Sequence, residues 1–257
     1  MDGGWAGRGQ APSIYDEPEL YDAIVPPGPC EAFYLEEARR SGGPVLELAC
    51  GTGRLMLPLA RDGHEVVGLD ASRPMLDAAG RKAAAQGIPV GFRVGDMRGF
   101  SLGRRFALVI VSCNSLAHLT RNAELIACLR AIRRHLAPGG TLAFDVVRPD
   151  HRMLAWPENA PRRLDIGPHP ASAIEAEEVA SYDPVAQLRI SRWRIRRPDG
   201  AEQEMARLVL RQFFPQELPF LLRAAGLRLV ARYGDFERNP LSAASLNQVC
   251  LAQAAAS

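Results

Sequence analysis

Two acids and two glycines mark where this sequence can do chemistry. Glu47-Leu48-Ala49-Cys50-Gly51-Thr52-Gly53-Arg54 sets an acid just ahead of a glycine pair, and Asp70 follows at the end of the next apolar stretch. Glycines at such a turn let the chain bend sharply and let a ligand approach bare backbone. An acid about 20 residues past the turn is spaced to take a pair of ribose hydroxyls. These are the parts of a site for a nucleoside-containing cofactor. A dinucleotide fingerprint needs a third glycine where this chain has Met56. Glu47 also disfavours a pyrophosphate, and suits a cofactor that carries positive charge. A second candidate is His118, because an imidazole titrates near neutral pH and can act as a general base. No H-x-x-H or acid–histidine cluster has metal-ligand spacing, so no metal is expected. Lys82 is the sole lysine, which disfavours lysine chemistry.

The elements that must position these residues alternate along the chain. Val45, Leu46, Leu48 and Ala49 predict a strand buried on both faces of a parallel sheet. Leu55, Leu59 and Ala60 recur at helical spacing, with Pro58 near the start, and Glu65 to Asp70 reads as a second strand. A helix over Pro29–Arg40, stopped by Ser41-Gly42-Gly43, precedes them. Ser72 is an N-cap with Pro74 in the first turn, and Gly87 closes that helix after Gln86. Val90–Val94 predicts a third strand and Phe106–Cys113, the most apolar run, a central fourth. The fourth empties into Asn114-Ser115-Leu116-Ala117-His118, at the strand ends where open α/β sheets bind ligands. A helix from Asn122 carries Leu125, Leu129, Ile132 and Leu136 as one stripe, and Thr141–Val147 is the fifth strand.

From Pro149 to Phe214 the pattern turns to polar-rich extended segments, read as strands over Ile174–Tyr182, Leu188–Arg196 and Glu202–Phe213. Arg192, Arg194 and Arg196 share one face there, and Trp193 and Ile195 the covered one. Pro215–Ala225 returns to helix, and Leu227–Asp235 and Asn247–Ala252 read as the last strands. A length of 257 residues suits one large α/β domain, residues 1–257, with an appendage. No apolar run is long enough to span a bilayer, and no signal peptide is read in the first twelve residues, which are expected to be a flexible end. Five scattered cysteines, none in a C-x-x-C pair, point to a reducing cytoplasm. The basic residues, all but one arginine, nearly balance the acids, so no polyanionic partner is implied.

The string E-L-A-C-G-T-G-R resembles the first motif of the class I S-adenosylmethionine-dependent methyltransferases, and L-A-P-G-G before the fifth strand resembles a second. The resemblance is specific over the cofactor-binding core, residues 44–146. It implies a Rossmann-like α/β fold with a seven-stranded sheet in the order 3-2-1-4-5-7-6, helices on both faces and an antiparallel β meander inserted after strand 5. It implies S-adenosyl-L-methionine as cofactor, its methionine part lying over Glu47, Ala49, Gly51, Gly53 and Arg54. Asp70 and Ala71 would sit at the ribose, and Met75 and Leu76 against the purine. Asp96 would accept from the adenine amino group and the Met97 N–H would reach a ring nitrogen. Tyr15 or Tyr21 would form a lid, and Asn114 and His118 would face the transferred methyl, His118 as base or orienter. Within the family, the serine-rich loop with a histidine resembles amino-sugar N-methyltransferases. A small-molecule amine is therefore the favoured acceptor, with a hydroxyl or thiol as runner-up. A nucleic-acid methyltransferase is disfavoured, since Asn114-Ser115-Leu116 stands where amino-methylating DNA enzymes have N/D-P-P-Y/F. A non-catalytic cofactor-binding protein is the remaining alternative. The insert, residues 149–214, is expected to cap the acceptor site or join a homodimer.

Overall fold

A computed structural model describes residues 11–25, 28–155, 157–158, 160–164 and 174–255. Most of the expected flexible end, residues 1–10, lies outside them. The described chain opens with a 3-10 turn, Ile14–Asp16, capped by the Ser13 side chain, and helix α1, Pro18–Ile24. Helix α2, Cys30–Ser41, ends on Gly42 in the left-handed conformation (φ 63°) that glycine adopts without strain. The alternating unit follows as β1 (Val45–Leu48), α3 (Met56–Arg61), β2 (Val66–Asp70), α4 (Arg73–Ala85), β3 (Gly91–Val94), β4 (Phe106–Val111), α5 (Asn122–His135) and β5 (Leu136–Val147).

β1, β2, β3, β4 and β5 pair in parallel, and β5 then takes the antiparallel β12 (Asn247–Ala254), which pairs with β11 (Leu227–Tyr233). The order β11-β12-β5-β4-β1-β2-β3 is the seven-stranded order expected from the sequence. Its two central parallel strands are buried nearly throughout, and Val45, Leu46, Leu108, Val109 and Ile110 are wholly so, as a sheet covered on both faces requires. β5 starts five residues before the expected Thr141, because the L-A-P-G-G turn is absorbed as an irregularity in its pairing with β4. α3 starts at Met56, with Pro58 tolerated in its first turn.

Between β5 and β11 lie α6 (His151–Leu154), β6 (Arg162–Arg163), β7 (Glu175–Asp183), β8 (Leu188–Arg196), β9 (Glu202–Glu204), β10 (Leu208–Arg211) and α7 (Leu218–Ala224). β6–β10 form a separate antiparallel sheet, with β8 paired to β7, β9 and β10. The long third strand expected over Glu202–Phe213 is broken into β9 and β10, and β6 had no pattern of its own in the sequence. The inward face of this sheet, Ala176, Ile195 and Met205, packs on Ile14, Leu20 and Ile24 of the N-terminal segment. No helix among the described residues is long and apolar enough to cross a membrane.

Candidate active site

The carboxyl ends of β1, β2, β3 and β4 surround a cavity of about 380 Å3. Ala49 and Gly51 form its floor after β1; Asp70, Ala71 and Met75 one wall; Asp96 and Met97 the next; His118 and the two tyrosines, Tyr15 and Tyr21, close it. These residues come from five separate stretches of chain, which only the sheet order brings together.

The floor is backbone in unusual conformations. Ala49 and Gly51 both have positive φ (54° each), and a Cβ added at Gly51 would meet nothing within 4 Å. Gly53 (φ 80°) serves a different end. A Cβ there would lie 3.2 Å from Ala79 and from Leu57, so its bareness lets the turn pack against α4. Gly51 N–H donates to Asp70 Oδ2 at 2.8 Å and Ser72 N–H to Asp70 Oδ1 at 2.8 Å. Asp70 thus fixes the glycine turn to the start of α4 while lining the cavity. Ser72, an N-cap, also donates from its hydroxyl to the Tyr15 carbonyl at 2.7 Å, pinning the N-terminal segment over the site.

Glu47 lies beneath the floor, 2 % exposed. Its Oε1 is 3.4 Å from Ser112 Oγ, and Oε2 has no hydrogen-bond partner among the described residues. Burial pushes its carboxyl well above the usual range, opposed in part by the Arg54 guanidinium. Asp96 is engaged by Arg98, whose Nε and Nη2 donate to Oδ2 at 2.8 and 2.5 Å, and this holds its carboxyl below the ordinary value.

Tyr15 and His118 meet across the cavity mouth. The phenol oxygen is 2.9 Å from Nε2, with the rings edge to face at 5.4 Å. Burial lowers the His118 pKa, so the imidazole is neutral at neutral pH. Burial and then the neighbouring Tyr21 raise that of Tyr15, and Tyr21 is pushed up to about 12, chiefly by burial. Phenol and imidazole, both neutral, thus share one hydrogen bond, whose direction follows the histidine tautomer.

Four of the expected residues do other work. Arg54 turns away from the lining to the Cys113 thiol. Asn114, a left-handed residue (φ 59°), uses its side-chain Oδ1 to accept from Val147 N–H at 3.0 Å. Leu76 packs in the core under β1 and β2 rather than in the cavity, and Gly53 packs as described. The sequence reading gives residues 149–214 the cap of the acceptor site or a dimer contact; among the described residues, none that lines this cavity belongs to that insert. Its sheet packs instead behind Tyr15 and Tyr21, through the N-terminal segment. Cys113, Ser115, Leu119 and Arg98 line the cavity without having been singled out for it, since none belongs to a spaced motif. Asp145, buried at 4 % exposure, had one visible signal, a lone acid in the apolar run of the fifth strand.

Comparison with known proteins agrees with this geometry. A family model described as a methyltransferase domain matches residues 45–140. A cypemycin N-terminal methyltransferase of Streptomyces sp is 34 % identical over 169 residues, 60 % of this chain and 68 % of that protein. A dTDP-3-amino-3,6-dideoxy-alpha-D-glucopyranose N,N-dimethyltransferase of Streptomyces fradiae is 36 % identical over 136 residues, 49 % of this chain and 51 % of that protein. The solved structure of the CcbJ methyltransferase from Streptomyces caelestis superposes with a TM-score of 0.82 at 32 % identity, covering 95 % of this chain and 99 % of the other.

Proposed function

Because this chain belongs to the class I S-adenosylmethionine-dependent methyltransferases, we propose that it methylates an amine on a small-molecule acceptor, and that the cavity above β1–β4 holds cofactor and acceptor together. When bound, S-adenosylmethionine supplies a methyl group on a positively charged sulfur. The donor set fits it. Asp70 is an acceptor for ribose hydroxyls, Met75 is apolar surface for a purine, and the unpartnered Glu47 Oε2 is a buried acceptor close to where a cationic amino acid part would lie. Ala71, Asp96 and Met97 complete the nucleoside side, and Tyr15 and Tyr21 exclude water from above.

The observation that carries the amine reading is the neutral, buried His118 imidazole bonded to Tyr15. An imidazole with a lowered pKa is a weak base. An amine attacks as the neutral species and needs a base only where it arrives protonated, so its demand on the imidazole is small. A weak base can orient that amine and relay the proton, and positioning supplies much of the rate. The relatives support the same class: one is a cypemycin N-terminal methyltransferase and another an amino-sugar N,N-dimethyltransferase. The test is transfer of a labelled methyl to paired acceptors that share one sugar or peptide scaffold and differ in amine against hydroxyl. Label on the amine alone is expected; label on the hydroxyl with the amine untouched overturns the reading.

A further inference from the structure

β4 does not run straight into the loop that carries His118. After Ser112 the chain passes through Cys113 (φ 57°) and Asn114 (φ 59°), two successive non-glycine residues in the left-handed region. Such residues are strained, and they persist where surrounding groups hold them. Here one carboxylate does the holding. Asp145, inside β5, accepts from Cys113 N–H at 2.8 Å with Oδ1 and from Asn114 N–H at 3.0 Å with Oδ2. Oδ1 also accepts from the Tyr34 hydroxyl of α2 at 2.7 Å. Two consecutive backbone N–H groups turned to one anion form a concave nest, and the anion is supplied by the chain itself. The 3-10 turn Ser115–His118 begins on the next residue, with Ser115 Oγ donating to Ser112 O at 2.6 Å. The direction taken by the peptide at Cys113 and Asn114 therefore decides where Ser115 and His118 enter the cavity.

We propose that Asp145 is a positioning residue for methyl transfer: by binding the two left-handed peptides after β4 it sets the loop that aims His118 at the acceptor. The inference rests on the reading of His118 given above. It assigns the acid no contact with cofactor or acceptor, since Asp145 is absent from the cavity lining. Tyr34 is the outer member of the same device, orienting the carboxylate from α2.

The test is Asp145→Asn, which keeps the shape but offers one acceptor atom where three donors converge. Calorimetry should find S-adenosylhomocysteine bound within about threefold of the unaltered protein, while kcat on the acceptor falls roughly 10²-fold, the scale of a misplaced catalytic group. The NMR and hydrogen-exchange readouts below need no acceptor, so they stand or fall apart from the amine reading. NMR titration of His118 should move from its depressed value up towards about 6.5 as the ring reaches water. Mere loss of a negative charge nearby would move it down. Adding Cys113→Gly to Asp145→Asn should recover several-fold of the lost kcat, because glycine holds a positive φ unaided. If Asp145→Asn does not fold, hydrogen exchange on the unaltered chain decides. The Cys113 and Asn114 amides should exchange as slowly as those of β4. Exchange at open-loop rates overturns the proposal, as does a folded Asp145→Asn with full kcat or an unmoved His118 titration.

Discussion

Glu47 shows how one buried carboxyl can link stability to ligand binding. Its raised pKa means that the folded chain holds a proton which the unfolded chain releases above about 4.5. The folded state then binds more protons, so stability falls as pH rises from that value through the folded pKa. Glu47→Gln removes the effect. The cofactor-free variant should melt higher than the unaltered protein at pH 7–8 and lose the difference near pH 4, as thermal melts across pH will read. The same change should weaken S-adenosylmethionine about 10–100-fold by calorimetry, the scale of a lost charge-assisted hydrogen bond of roughly 1.5–3 kcal/mol. For His118, burial lowers the pKa, so a base role requires kcat/KM to hold down to mildly acidic pH and to fall only below about 6.5. His118→Ala should lower turnover about 10–10³-fold with little change in cofactor affinity. A variant with full turnover across the pH range would remove the histidine from the chemistry. Much of this site was legible at the residue scale, because Glu47, Gly51 and Asp70 belong to a spaced pattern. The Tyr15–His118 bond was not, because a contact across a hundred residues of chain leaves no local trace.

Among the elements, β1, β2 and β4 were readable as short apolar runs, as strands buried on both faces require, and the second half of β8 because Arg192, Arg194 and Arg196 alternate with Trp193 and Ile195. α1 was missed: seven residues with Pro18 at their start are too few to show a helical period, and its apolar Leu20 and Ile24 make sense only against the insert sheet. That sheet has its own ionic centre. Glu178 is 3 % exposed and accepts from Arg189 and Arg162 at 2.6 Å each and from Trp193 Nε1 at 3.2 Å. Burial alone would raise its pKa, but Arg189, Arg162 and Trp193 outweigh it and hold the carboxyl at about 2. A depressed folded value stabilises the fold above the unfolded value and is lost as pH falls towards 2. The contribution at pH 7 is roughly 3 kcal/mol. Glu178→Gln should lower stability by that order in urea at pH 7, and the gap from the unaltered protein should shrink at pH 3. An equal gap at both pH values would assign the loss to packing rather than charge.

At the scale of the whole molecule, the N-terminal segment is the joint between the two sheets. On one side Asp22 pairs with Lys82 at 2.5 Å and accepts from Thr52 Oγ1 at 2.6 Å, tying α1 to α4 and to the glycine turn. On the other, Glu17 pairs with Arg197 at 2.7 Å, and Ile14, Leu20 and Ile24 pack on Ala176, Ile195 and Met205. Half-buried ion pairs that solvent still reaches contribute little alone, so the apolar contact supplies most of the hold. The insert backs the segment that carries Tyr15 and Tyr21, and the prediction is that it governs the cavity at second hand. Ile195, with no exposed surface, is the place to test it. Ile195→Asp puts an unpaired charge into that contact, a change costly enough to part the surfaces. Hydrogen exchange should then quicken over residues 13–25, cofactor affinity should fall, and the strands β1, β2, β4 and β5 should keep their protection. The order of events matters, since a lid held open loses cofactor before the core loses structure. If residues 13–25 stay protected and cofactor affinity is unchanged while only acceptor turnover is lost, the insert acts on the acceptor directly and the coupling through the N-terminal segment is wrong.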